Sequence, residues 1–299
     1  MDWAQVTSRT DVIEALAPAK INLFLHVGEK RGDGFHDLES LVVFADVGDT
    51  LTFAPSPELT LKLDGPFAQA LKGESDNLVL RAASALAQHV GRSQAGAAIR
   101  LTKQLPVASG IGGGSADAAA VLRGLTRLWA LDISWSELRS VAATIGSDVP
   151  VCIESKSSWM AGRGERVTIA AALPQMPMLL VNPGVTVSTA DVFRALTSRT
   201  GLGKVKVNRA TPLSLPRDLV AYLKYTANDL QAPALRIAPV IGVVLDELSR
   251  MPGVELWRMS GSGATCFALF DEQRSAEMAE VALSHTHPDW WIRATRIGS

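Results

Sequence analysis

Apolar and polar positions alternate with a period of two from Ile21 to Val27, where Ile21, Leu23, Leu25 and Val27 are interleaved with Asn22, Phe24 and His26. That spacing turns one set of side chains toward a core and predicts a half-buried strand. Shorter strand-like runs follow at Leu41 to Val47, Leu51 to Ala54 and Leu59 to Leu63. Asn77 to Val90 is rich in Ala and Leu at helical spacing, and Ala98 to Leu101 reads as a further strand. A glycine-rich loop, Gly110 to Gly114, leads into a helix predicted from Ser115 to Trp129. The next helix has its start written in the chain: Ser134 and Glu137 match a capping box, and Gly146 is its stop.

Beyond this point the rhythm changes. Met178 to Val181 is a short apolar strand, and Ser188-Thr189 is placed to cap a helix carrying Val192 and Phe193. A helix over 234–250, strands over 254–259 and 266–270, a helix over 273–284 and a strand over 291–295 complete the pattern. Thr197 to Arg217, rich in Gly, Pro and basic residues, reads as a mobile loop. Strands and helices sharing sheet faces in this way indicate an α+β protein. The expected division is an N-terminal domain over 1–160 and a C-terminal domain over 161–299, with no internal repeat.

Composition narrows the function. With 47% apolar residues across 299 positions the chain can build a substantial core, and a net charge of −1 provides no field to recruit nucleic acid or an anionic membrane. An anionic ligand must then be held locally, by backbone amides or a few placed cations. No stretch approaches the roughly 18 apolar residues of a spanning helix. Met1 to Val6 also lacks the basic-then-apolar order of a signal peptide. The two cysteines, Cys152 and Cys266, each lie in an apolar run and read as small buried hydrophobes of a cytoplasmic protein.

The strongest chemical signal is Pro106-Val107-Ala108-Ser109-Gly110-Ile111-Gly112-Gly113-Gly114-Ser115-Ala116. Four glycines in five positions let the backbone approach a ligand and turn successive N–H groups inward. The helix that follows aims its positive end at the same spot, so the loop suits a polyphosphate. It is not a Walker loop, because Ser115-Ala116 stands where Lys-Ser/Thr is needed, and Ser115 also breaks the dinucleotide fingerprint. A bare strand-to-helix turn needs one or two glycines, not this density.

This loop resembles the second motif of the GHMP kinases, with Ile111 in place of the usual leucine. The other two motifs of that family follow in order: Ala17-Pro18-Ala19-Lys20-Ile21-Asn22-Leu23 resembles the first, and Met259-Ser260-Gly261-Ser262-Gly263-Ala264-Thr265-Cys266-Phe267 the third. Arg31-Gly32-Asp33-Gly34-Phe35-His36-Asp37-Leu38 is similar to a stretch of one branch, whose acceptor is a cytidine diphosphate-linked methylerythritol. Gly146 to Pro150, Gly162 to Glu165 and Asn228-Asp229-Leu230 resemble later signatures of that branch. The likeness runs from about Ala17 to Phe270, leaving the first dozen or so residues as an extension. The resemblance implies a two-domain GHMP kinase fold, with an N-terminal mixed β-sheet carrying helices and a C-terminal ferredoxin-like α/β sandwich. The active site is then expected in the cleft between them. It implies ATP and Mg²⁺ as cofactors, no nucleic-acid or membrane partner, and a monomer or weak homodimer.

What the resemblance implies for residues is specific. Pro106, Ala108, Ser109, Gly110, Ile111, Gly112, Gly113, Gly114, Ser115 and Ala116 would hold the ATP phosphates, and Asn77 and Lys103 would lie around the adenine. Ser115 would contact Mg²⁺ directly or through water, and as a plain residue it is also a natural helix cap. Phe35 and Phe193 would sandwich the cytosine with His36 beside them, although an aromatic such as Phe193 on a helix is equally a core residue. Asn22 and Gly261-Ser262-Gly263 would contact the acceptor. Asp148, on a turn expected to be non-helical between Gly146 and Pro150, would be the general base, or else a residue that closes the turn. Lys20 would polarise the acceptor hydroxyl and keep Asp148 ionised. His26 reads as a satisfied structural residue, and His285-Thr286-His287 lacks the neighbours of a metal site. Two rivals remain: another GHMP kinase, acting on mevalonate or homoserine, and a non-catalytic nucleotide sensor on the same fold.

Overall fold

A computed structural model describes residues 12–73, 77–92, 95–196, 209 and 211–298. It divides into two compact units that interleave along the chain. The first comprises residues up to Ala19, Gly48–Val107 and Gly113–Glu154; the second comprises Lys20–Val47, Ala108–Gly112 and the chain from Ser155 onward. Strands β1 (Ile13–Lys30) and β2 (His36–Ala54) contribute residues to both.

In the first unit, β3 (Leu59–Asp64), α1 (Leu78–His89) and β4 (Ala97–Thr102) follow in order. β3 lies parallel to β4, and β4 pairs antiparallel with Thr50 to Ala54 of β2. Helix α2 (Gly113–Leu128) is the centre of this unit, with every residue from Ala116 to Leu122 buried. Its run of alanines combines the highest helix propensity with side chains small enough to be covered on all sides. α1, α3 (Trp135–Ile145) and the single turn α4 (Val149–Cys152) pack around it.

The second unit continues with a hairpin, β5 (Ser158–Gly162) and β6 (Arg166–Ile169), whose first strand pairs with Leu38 to Val42 of β2. Then come β7 (Met176–Asn182), α5 (Thr189–Arg194), α6 (Pro216–Lys224), α7 (Gln231–Ile237), α8 (Val240–Ser249), β8 (Val254–Met259), β9 (Cys266–Phe270), α9 (Gln273–Thr286) and β10 (Trp291–Ile297). The antiparallel order β10-β7-β9-β8 with helices between β7 and β8 and between β9 and β10 is the ferredoxin-like arrangement.

Several sequence expectations hold. The capping box at Ser134 and Glu137 forms, Gly146 ends α3, and Ser188 caps α5. Others need correction. The runs over 41–47 and 51–54 are one strand. The polar Gly48-Asp49 pair does not break it, because a Cβ at Gly48 would stand 2.3 Å from the Ala17 carbonyl oxygen and Asp49 is fully engaged inside the fold. The helix over 234–250 is two helices, since Pro239 cannot continue the first. The hairpin of β5 and β6 was not expected at all. α6 begins at Pro216, inside the segment read as a loop, while residues 197–208 and 210 of that segment lie outside the described residues. Among the described residues no helix is long and apolar enough to cross a membrane.

Candidate active site

Within the second unit, all three family-like motifs meet at the loop over 108–112. The Lys20 amide donates to the Ile111 carbonyl at 2.9 Å, and the Thr265 amide donates to that of Ser109 at 3.0 Å. The Ser260 hydroxyl donates to the Gly110 carbonyl at 3.1 Å and accepts from the Asn22 amide at 3.1 Å. The approach is close enough to demand glycine. A Cβ at Gly110 would lie 2.5 Å from the Ser260 carbonyl oxygen, and one at Gly261 would lie 2.6 Å from that of Gly110. Ala108 (50°), Gly110 (76°) and Gly112 (63°) have positive φ, alternating with Ser109 and Ile111, and left-handed residues of this kind are what backbone nests for anions are built from. The Lys20 side chain, 3% exposed, runs beside Gly112, where an added Cβ would be 3.1 Å from its carbons.

Two further groups support this core. Asn22 donates through Nδ2 to the Ser40 hydroxyl at 2.8 Å, and among the described residues its buried Oδ1 has no partner, so an acceptor atom is left for a ligand. Asn228, to which the sequence reading gave no role, donates to the carbonyls of Met259 at 2.7 Å and Gly261 at 2.8 Å. It thereby fixes the third motif from below; a polar Asn-Asp pair between apolar stretches was the available signal. The Ser262 hydroxyl lies 2.8 Å from that of Thr189, at the start of α5.

Two of the three expected ring residues, His36 and Phe193, meet in the same unit. His36 stacks on Phe193 with centroids 5.6 Å apart and planes at 26°, and its Nδ1 lies 3.2 Å from the Gly28 carbonyl oxygen. That contact needs the proton on Nδ1 and leaves Nε2 of a neutral ring as an acceptor. Phe193 is half-buried against the unit's core as well as stacked, so both readings of it describe part of its surroundings. Phe35 is 52% exposed. His26 is buried and accepts the Ala227 amide at 3.3 Å, with burial lowering its pKa; it is structural, as expected. Cys152 and Cys266 are both buried, and burial pushes the Cys266 thiol up.

In the first unit, α2 starts at Gly113, so Gly113 and Gly114 form its first turn and Ser115 lies inside it rather than at its cap. Gly113 sits against the Lys103 ammonium and Gly114 against Leu78. Asn77 caps α1, accepting the Val79 amide at 2.9 Å. Lys103 is 2% exposed and its ammonium is bound between Asp49 and Asp117, the latter at 2.8 Å. Any contact it makes with adenine is therefore through its backbone or stem. Burial would lower this lysine, but the two carboxylates outweigh it and raise its pKa. Burial, reinforced by the Asp49 charge and opposed by Lys103, holds Asp117 above the ordinary carboxylate range. Neither aspartate was picked out from sequence, though an acidic residue amid alanines after the glycine loop was visible.

Asp148 lies on the turn expected between the helix stop at Gly146 and Pro150, immediately before α4. Its dihedrals are φ −92° and ψ −9°, Pro150 stands in the first turn of α4, and its side chain makes no capping bond.

The chain matches the GHMP kinases N terminal domain over residues 77–156 and the GHMP kinases C terminal domain over 216–289. It belongs to the GHMP kinase family. Among its relatives is the 4-diphosphocytidyl-2-C-methyl-D-erythritol kinase of Bradyrhizobium sp. (strain ORS 278), 48% identical over 95% of this chain and 97% of that protein. The enzyme of the same name from Rhodospirillum rubrum is 48% identical over 96% and 92%. A crystal structure of 4-(cytidine 5'-diphospho)-2C-methyl-D-erythritol kinase superposes with a TM-score of 0.77 at 32% identity, covering 96% of this chain and 100% of that one. Homoserine kinase from Cytophaga hutchinsonii, with a TM-score of 0.73 at 17% identity over 97% and 96%, shares the fold.

Proposed function

We propose that this chain transfers the γ-phosphoryl group of ATP to the 2-hydroxyl of 4-diphosphocytidyl-2-C-methyl-D-erythritol, a step of non-mevalonate isoprenoid biosynthesis carried out in the cytoplasm. The observation that carries this reading is 48% identity along 95% of the chain to an enzyme of that name. Phosphoryl transfer needs in-line positioning, charge neutralisation and an exit for the hydroxyl proton. In this reading the amides of residues 108–116 bind the ATP phosphates, and Asn77 and Lys103 border the adenine. Phe35, His36 and Phe193 take the cytosine, and Asn22 with Gly261 to Gly263 the rest of the acceptor. Asp148 accepts the proton as Lys20 polarises the hydroxyl. The domains are assigned as 1–160 and 161–299, and the enzyme as a monomer or weak homodimer.

Mg²⁺ fits the donors present. Among the described residues no cluster of His, Cys, Asp and Glu could hold a metal alone, and a hard cation held mainly by phosphate oxygens and water needs only the Ser115 hydroxyl from the protein. When bound it neutralises charge on the β- and γ-phosphates. ADP release measured with the cytidylated acceptor, mevalonate, homoserine and galactose tests the proposal. Turnover confined to the cytidylated acceptor supports it; preference for another alcohol, or none for any, overturns it.

A further inference from the structure

The turn between β5 and β6 carries a cation that the account so far leaves without work. The guanidinium carbon of Arg163 lies 4.7 Å from the centroid of the Phe35 ring. Its backbone amide donates to the Glu165 carboxylate at 2.6 Å, while among the described residues its guanidinium makes no hydrogen bond or ion pair. Arg31, whose backbone amide donates to the Phe35 carbonyl at 2.7 Å, is already engaged by Asp33 at 3.3 Å and Asp37 at 3.1 Å. The turn itself is fixed. Gly162 pairs with Leu38 of β2 and has φ +71°, and a Cβ there would stand 2.5 Å from the Glu165 carboxylate. Two glycines with positive φ, Gly162 and Gly164, flank Arg163 and set where its side chain leaves the backbone.

We propose that Arg163 is a binding residue for the diphosphate of the nucleoside diphosphate-linked acceptor, oriented by stacking on Phe35. The inference rests on the reading of Phe35, His36 and Phe193 as the cytosine site. A chain of net charge −1 offers a diphosphate no general attraction, so a placed cation must meet it. Guanidinium is suited to that task. Its planar fork matches two phosphate oxygens at once, and its face rests on an aromatic ring while its edge keeps every donor. The stack also removes in advance part of the rotamer freedom that binding would otherwise cost. Base and diphosphate would thus be read by adjacent side chains, Phe35 taking one and Arg163 the other.

The test is calorimetric binding of cytidine, CMP and CDP to the full chain, with the ATP site filled by a non-hydrolysable ATP analogue. Arg163→Gln should weaken CDP roughly tenfold or more, the scale of a charge-assisted pair, and leave cytidine within about twofold. Arg163→Lys should recover part of the loss. In turnover, Arg163→Gln should raise KM for the acceptor by a similar factor with kcat and KM for ATP near wild type. Equal losses for cytidine and CDP would reduce Arg163 to a support for the Phe35 ring and overturn the proposal. Unchanged or tighter CDP binding would overturn it as well. Wild-type protein that binds neither cytidine nor CDP would instead remove the cytosine site, and this inference with it.

Discussion

Lys20 and Asp148 carry the chemistry in this account, and single substitutions separate their roles from those of the binding residues. Lys20 is held by its own backbone bond to Ile111 and by the tight passage beside Gly112, so its position is set by the loop over 108–112. Asp148 heads a one-turn helix yet does not cap it, so exchanging its carboxylate leaves that helix end without a lost cap. Asp148→Asn keeps shape and removes the basic oxygen; kcat should fall by about 10²–10⁴-fold with both KM values little changed. Lys20→Met should produce a comparable loss. The double variant should be little worse than either, because groups acting as a unit are not additive. Single-turnover rates check this: multiplicative losses would mean independent roles, and a fall below about tenfold would return Asp148 to a structural part.

Among elements, the decisive joint is where β2, the chain after β4 and α2 meet. Asp49 on β2 binds the Lys103 ammonium and also accepts the amides of Gln104 at 2.5 Å and Leu105 at 2.8 Å. Asp117 on α2 binds Lys103 through one oxygen, and among the described residues its other, buried oxygen has no hydrogen-bond partner. One lysine cannot neutralise two buried carboxylates, so the two positions should respond differently to the same change. Asp49→Asn can keep both backbone amides on its Oδ1 but then sets its NH₂ against the Lys103 ammonium, and should cost about 2–4 kcal/mol of stability. Asp117→Asn, which relieves a charge and wastes no bond, should cost less than about 1 kcal/mol. Thermal unfolding of both variants decides it, and equal losses would contradict this account of the joint. This cluster also shows where sequence reading stops. Apolar patterning located α1, α3 and β8 because they bury one side, and α2, β7 and β9 because they are short unbroken apolar or alanine-rich runs. It missed the continuity of β2 through Gly48-Asp49, because the partners that make a polar pair tolerable come from residues 103–105, far along the chain. It missed the break at Pro239 for a different reason, that an apolar run on either side masks a single breaker.

For the whole molecule, the three motifs were legible because glycine-rich sequence has few structural uses, and the structure brings Lys20, the loop over 108–112 and Gly261 to Gly263 together in one unit. Asn228, Asp49 and Arg163 were not legible as site residues, since each acts by holding or facing a neighbour that only the fold supplies. The full account rests on one regiochemical claim, that the phosphoryl group reaches the 2-hydroxyl of the cytidylated acceptor. The carbon bearing that hydroxyl also carries the methyl group and no hydrogen. A phosphomonoester formed there has no proton three bonds from phosphorus, whereas one at the 1- or 3-hydroxyl of the methylerythritol or at a ribose hydroxyl does. Proton-coupled phosphorus NMR of the purified product is therefore the most direct measurement. The account predicts one new phosphomonoester resonance that is an unsplit singlet, appearing as ATP is converted to ADP. A doublet or triplet, or ATP consumed with no new phosphomonoester on the acceptor, would contradict it.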